Sequence, residues 1–385
     1  MFKRTYPIHG VDDGVLPIAA RTHAPAAWTG RGVGIAFIDS GFFPHPDFSR
    51  RVLVHANAAY PTVVENRRYR ADLPQSWHGM MSVALAAGSG WRSGGRFAGI
   101  APKARLVLVA VTNARGRIKE PDILRGLQWV VEHGARFGVR IVNLSVGGDL
   151  PSADPAHPIH AAIRELNSRG VVVVAAAGNR AVARLVPPAS ALEAITVGGV
   201  NDGNSADAHH WTLYHHNYGH ACDGTPKPDV LAPAEWVASP LLPRSGTARE
   251  IARLDRLLTV EAWDEARALH LIRLARRDLG LSREEVKALT PALRETIQAR
   301  IAACKVINAD HQYVDGTSVA AAIVTGVAAQ MLEANPLLTP GAVRDILMVT
   351  AQPLAHVLAE RQGAGVIRPA LAVAEALRRA QEITP

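Results

Sequence analysis

The sequence predicts an α/β protein: a mostly parallel central sheet with helices on both faces, interrupted by an inserted helical subdomain. Three observations lead there. Short β-rich runs alternate with helical stretches from about residue 30 to residue 200, the pattern of strand–helix–strand units around a parallel sheet. The strand candidates are apolar throughout, as residues 171–177 are, which suits strands covered on both faces. From residue 244 to about 305 the pattern changes to charged, helix-spaced sequence, and the α/β pattern resumes at Tyr313.

Taken in order, residues 32–38 read as a buried strand and 78–87 as a helix of small residues. Residues 105–112 form the next strand. A helix follows over 121–137, with Ile123, Leu127, Val130 and Val131 on one face. Residues 139–144 are a strand, 159–168 a helix, and 171–177 and 194–200 two further strands. Residues 201–224 are polar and histidine-rich and read as a loop. In the charged block, Thr259 is placed to cap a helix reaching residue 279, which Gly280 stops. Ser282 and Glu285 have capping-box spacing, and Thr290-Pro291 opens another helix. The expected domains are an N-terminal extension over 1–23, an α/β domain over 24–243 and 312–385, and the inserted subdomain over 244–311.

Composition narrows the function classes. Of 385 residues, 48% are hydrophobic and 20% charged, ordinary for a globular protein and far from a disordered chain. The longest apolar run is much shorter than the roughly 20 residues of a membrane span. The net charge is +8, but only six of the 42 cations are lysines and the arginines are scattered. Without an aromatic-rich basic stripe, no nucleic-acid partner is expected. Cys222 and Cys304 are far apart and form no CxxC pair. The first residues lack the apolar stretch of a signal peptide. Both features suit a reducing compartment, and the expected location is cytoplasmic.

The chemistry lies in four short motifs. Asp39 ends the first strand, where open parallel sheets place their ligands, and a carboxylate there suits the orientation of a histidine. His78 opens a small-residue helix. Ser318, in Asp315-Gly-Thr-Ser-Val-Ala320, stands where an extended segment becomes a helix, so backbone N–H groups and the helix dipole favour negative charge beside it. Asn179 follows the apolar strand and offers an amide donor to an oxyanion. Residues 143–148 (Asn-Leu-Ser-Val-Gly-Gly) end a strand in glycines, leaving room for an extended peptide to add as a further strand.

Each motif is modest alone; the order Asp39, His78, Asn179, Ser318 is the strong signal. With that order the sequence resembles the subtilisin-like serine proteases, over roughly residues 24–244 and 312–378. The resemblance is carried by Asp39-Ser-Gly41, His45-Pro-Asp47, His78-Gly79, Phe97-Ala-Gly-Ile-Ala-Pro102, Asn143-Leu-Ser145, Ala175-Ala-Ala-Gly-Asn179, Lys227-Pro-Asp-Val-Leu-Ala-Pro233, Gly316-Thr-Ser318 and Gly363-Ala-Gly-Val-Ile367, all in sequence order. It implies a subtilisin-like fold and a serine endopeptidase acting on protein or peptide substrates. Ser318 is then the nucleophile, His78 the general base and Asp39 the group that orients it. Asn179 and the Ser318 N–H make the oxyanion hole. Ser145, Val146 and Gly147, with Ala176, Ala177 and Gly178, border the main specificity pocket, whose small walls suggest a roomy apolar space. Two other readings compete with this one: a catalytically silent peptide-binding relative, and a peptidase dedicated to one precursor.

The sequence departs from the family pattern in four places. His78 is followed by Gly-Met-Met81 instead of Gly-Thr-His, Ala322 stands for a proline, and Ala234 for a glycine. The loop over 88–96 lacks the oxygen ligands with which many relatives bind calcium. Asp47 aligns with one such ligand but has no companions there. His209, His210, His215, His216, His220 and Cys222 follow no standard zinc spacing and read as exposed loop residues. No metal and no cofactor are expected.

Overall fold

The computed structural model describes residues 2–7, 14–66, 74–113 and 115–382. The chain divides into two compact units. One comprises Leu16–Val237 and Asp315–Pro385; the other comprises Met1–Val15 and Ala238–Val314.

The larger unit is built on a nine-stranded sheet. Its strands are β1 (Gly34–Asp39), β2 (Val52–Asn57), β3 (Val64–Asn66), β4 (Arg105–Ala110), β5 (Val139–Leu144), β6 (Val172–Ala176), β7 (Ile195–Asn201), β8 (Thr212–Leu213) and β9 (Val230–Pro233). They lie in the order β9-β7-β6-β5-β1-β4-β2-β3, with β8 on β7. All pairings are parallel except β3 on β2 and β8 on β7. The successive strands β4 and β5 flank β1 on opposite sides. Such a switch in direction opens a crevice at the carboxyl end of the central strand, and Asp39 is the last residue of β1.

Alternation along the strands divides the core. Ala36 and Ile38 of β1 join Val107, Val109, Val142 and Val173 on one face, against Ile123, Leu127 and Val130 of helix α2 (Glu120–His133) and Ile159, Ile163 and Leu166 of helix α3 (Pro158–Ser168). Each fully buried aliphatic side chain contributes roughly 1.5–3 kcal/mol. The other face is covered by helix α4 (Thr317–Ala334), which packs on β5, β6 and β7 and against helix α1 (Ser76–Ala87). By length and composition α4 could cross a membrane, yet 83% of it is buried inside the protein. Gln330, on α4, donates to the carbonyls of Ile100 and Trp28 at 3.0 and 2.7 Å.

Several boundaries differ from the sequence reading. β1 starts at Gly34, after the turn glycines, and α1 starts two residues before His78. The helix expected over 121–137 ends at His133 and tightens to a 3₁₀ turn over Gly134–Phe137. The loop over 201–224 is not uniformly exposed. His216 is fully buried, its Nδ1 accepting from Gly199 N and its Nε2 lying 2.7 Å from Arg361 O. Among the described residues, no three His, Cys, Asp or Glu side chains gather as a metal-binding group.

Arg51 does something the sequence did not disclose beside Asp47. Its guanidinium donates to the carbonyls of Asp47 (3.0 Å), Ala104 (2.9 Å) and Ala87. A fixed cation thus gathers carbonyl oxygens at the root of the 88–96 loop. Burial pulls its pKa down to about 10, against the charge of Asp47.

The smaller unit has its own apolar core, in which Ile251, Leu254, Leu257, Ile272, Ile297 and Ile301 come from three helices. Those helices are Gly246–Leu258, Glu265–Ala275 and Pro291–Ala303. Their N-caps are Ser245, Asp264 and Thr290, each accepting from a backbone N–H three residues on. The second helix is therefore capped by Asp264, whereas Thr259 closes the first. The Ser282–Glu285 capping box forms reciprocally, at 2.7 and 3.2 Å, but no α-helix continues from it; Pro291 soon removes a donor and disfavours helix before it. The expected extension over 1–23 is not one element. Phe2 is buried in the smaller unit's core and Arg4 pairs with Asp255, while residues from Leu16 onward belong to the larger unit.

Candidate active site

Asp39 is completely buried at the end of β1, and the hydrogen bonds it accepts define the site. Its Oδ1 lies 2.6 Å from His78 Nδ1 and accepts from Ser40 N at 2.6 Å; its Oδ2 accepts from Ser82 Oγ at 3.0 Å. His78 and Ser82 are four residues apart and so share one face of α1. Close approach of the helix to the Asp39 turn depends on Gly79. A Cβ there would lie 2.2 Å from Gly41 O and 2.8 Å from the Phe42 ring. Met80 and Met81, which replace the family's polar residues, are both buried. Ser82, one turn along from His78, adds a hydroxyl donor to Asp39.

His78 Nε2 lies 3.1 Å from Ser318 Oγ, completing a hydrogen-bonded chain from carboxylate to imidazole to hydroxyl. The His78 side chain is 30% exposed and Ser318 8%, so the reactive end meets solvent while the carboxylate does not. Burial pulls the imidazole pKa down, but the charge of Asp39 and its hydrogen bond outweigh that and hold it above the ordinary 6.5.

Ser318 is the second residue of α4, and its neighbours explain the conformation. Gly316, the N-cap, has φ 133°, a value L side chains avoid. In the first turn no helical carbonyl reaches the Ser318 N–H, which stays available to an outside acceptor. Asn179, just after β6, is held by its oxygen: Oδ1 accepts from Thr317 N at 2.8 Å and from Thr317 Oγ1 at 3.0 Å. Thr317 Oγ1 in turn accepts from Gly178 N at 3.0 Å. Fixing the oxygen leaves the amide Nδ2–H₂ group for another acceptor. A notional Cβ on Gly316 would lie 3.6 Å from Asn179 Nδ2 and 3.8 Å from Ser318 N, so both nitrogens border the Gly316 turn.

Ser145, Val146 and Gly147 continue beyond β5, and Ala176, Ala177 and Gly178 close β6. The two segments run on from the ends of paired strands and so lie side by side. Ser145 Oγ donates to Asn143 Oδ1 at 3.0 Å, and Asn143 Nδ2 donates to Thr325 Oγ1 on α4 at 2.9 Å. All the sequence-predicted residues therefore sit in one region at the carboxyl edge of the sheet. Sequence reasoning missed Ser82 and Thr317. Ser82 had a signal, its four-residue spacing from His78; Thr317 was read only as part of the serine motif.

A model of the Subtilase family matches residues 30–365. Serine protease AprX of Bacillus subtilis is 28% identical over 83% of this chain and 61% of its own length. Subtilisin BL of Lederbergia lenta is 32% identical over 48% of this chain and 64% of its own. The chain thus spans less than two-thirds of either relative. A solved protease structure from Pseudoalteromonas arctica has the same fold, with a TM-score of 0.60, 22% identity and 94% of each chain covered. With a family match running through all four motifs, the chain belongs to the subtilase family.

Proposed function

We propose that this chain is a serine endopeptidase that cleaves proteins or peptides through an acyl-enzyme. The observation that carries the reading is the unbroken chain Asp39–His78–Ser318, at 2.6 and 3.1 Å. Ser318 Oγ attacks the scissile carbonyl while His78 Nε2 takes its proton. Buried Asp39 keeps the other ring nitrogen protonated and stabilises the imidazolium that forms. Negative charge builds on the carbonyl oxygen, where Asn179 Nδ2 and the Ser318 N–H donate to it more strongly than to the ground state. The tetrahedral species collapses, and His78 hands its proton to the departing amine. Water, activated by the same imidazole, then releases the acyl group.

The substrate's acyl side pairs as an added strand with residues 145–147, and its first side chain enters between 145–147 and 176–178. Backbone pairing of this kind reads extended main chain, which supports endopeptidase action on unfolded segments. The test is hydrolysis of an unfolded protein by purified wild type and by Ser318→Ala. Cleavage by wild type alone is expected; equal cleavage by both would remove the proposal.

A further inference from the structure

Resting on that peptidase reading, we infer that Val186 closes the pocket for the side chain on the acyl side of the cleaved bond (P1), so the enzyme selects small residues such as alanine. The sequence showed two small-residue walls and no base. The structure supplies one, because residues 185–189 contact both walls. Leu185 and Ala189 are buried in a cluster with Ala177 of the second wall. Pro187 O accepts from Gly148 N, just past the first wall, at 2.7 Å. Between them, Val186 Cγ2 lies 3.2 Å from where a Cβ on Gly147 would stand. Its methyl therefore occupies the space beside the glycine that the sequence left open.

Val186 has little freedom to withdraw. Val186 O accepts from Ala189 N at 2.9 Å, and Ala189 O accepts from Thr196 Oγ1, on β7, at 2.7 Å. Ser190 Oγ lies 2.9 Å from His160 Nε2, on α3. A β-branched side chain on a pinned backbone has restricted χ1 freedom, and forcing an aromatic ring against it overpacks the site. None of residues 145–147, 176–178 or 185–189 is charged, so a charged P1 side chain would be desolvated with no partner from these segments. One carboxylate lies just past the first wall: Glu120 crowds Gly148 beside Pro187 O, but it is paired with His157 at 3.1 Å. The Val186 methyl thus shortens the space between the walls, in contrast to the roomy pocket expected from them.

The test uses tetrapeptide p-nitroanilides that differ only in P1, as alanine, leucine or phenylalanine. A methylene in an apolar pocket discriminates by roughly 10- to 200-fold, so wild type should favour alanine over phenylalanine by about a hundredfold in kcat/KM. Val186→Gly should reverse that order and Val186→Ala should fall between, with fluorophosphonate titration counting the folded sites in each preparation. Wild type cleaving phenylalanine as well as alanine, or an unchanged ratio in both variants, overturns the inference. The same peptides as free acids, bound to Ser318→Ala and followed by calorimetry, should keep the alanine-first order. That measurement reports on the pocket even if no peptide is hydrolysed, so failure of the inference and failure of the peptidase reading are told apart.

Discussion

Asn179 offers a sharp test because its two ends do different jobs. Its Oδ1 is taken by Thr317 N and Oγ1, and its Nδ2 is the donor assigned to the oxyanion in the proposed mechanism. Asn179→Ala removes one oxyanion donor. The expected loss is about 10²–10³ in kcat, a range carried over from subtilisin, a member of the same family, and not worked out from this chain. Asn179→Asp is more telling. One carboxylate oxygen can still accept from Thr317, and the other then stands in the place of Nδ2. A charge about 3 Å from the developing oxyanion, at an effective dielectric of about 20, costs roughly 5 kcal/mol, or nearly 10⁴ in rate. The aspartate variant should therefore be slower than the alanine variant, though it preserves more of the local hydrogen bonding. The assay is kcat and KM measured separately on a chromogenic peptide with titrated enzyme. KM should stay within about threefold in both variants, since the interaction is made in the transition state. An aspartate variant as fast as wild type, or an alanine variant that loses only affinity, would show that Asn179 does not serve the oxyanion.

Other expectations follow from the same contacts. His78 must be neutral to accept a proton, and its pKa is raised, so kcat/KM should fall on acidification through a midpoint above 6.5. In Asp39→Asn the raising charge is gone and burial remains, so a pH–rate profile should show a slower enzyme with that limb moved to lower pH; an unmoved limb would detach Asp39 from His78. Thr317→Val keeps the backbone donor to Asn179 but loses the hydroxyl shared with Gly178, and should lower kcat by up to about tenfold with little change in KM. Arg51→Met leaves carbonyls of Ala87 and Ala104 without their cation and should cost about 2 kcal/mol in urea unfolding. EDTA should leave wild-type activity unchanged, and inactivation reversed by calcium would contradict the expectation, drawn from the 88–96 loop, that no metal is bound.

What was legible in the sequence is what local pattern encodes. The buried parallel strands announce themselves because residues such as Val172–Ala176 are apolar on both faces. Asp39, His78, Asn179 and Ser318 were found because each ends or opens an element, where short motifs keep their order. What escaped depends on contacts distant in sequence. Val186 sits nearly forty residues from Gly147 and belongs to no motif, so nothing local marked it as a base to the pocket. Arg51 is one of many arginines, and only the fold brings the Ala87 and Ala104 carbonyls to it. Phe2 joins a core formed some 250 residues later. Asp264 prevailed over Thr259 as a helix cap because the preceding helix ran on through Leu258.

Ser318 as the activated nucleophile of an Asp39–His78–Ser318 relay can be read by reaction of the protein with a fluorophosphonate, followed by mass mapping of the modified peptide. One adduct per chain is expected, on Ser318, forming more slowly as pH falls through the His78 limb, and absent from Ser318→Ala. An adduct on another residue, or hydrolysis that persists unlabelled in Ser318→Ala, would contradict it.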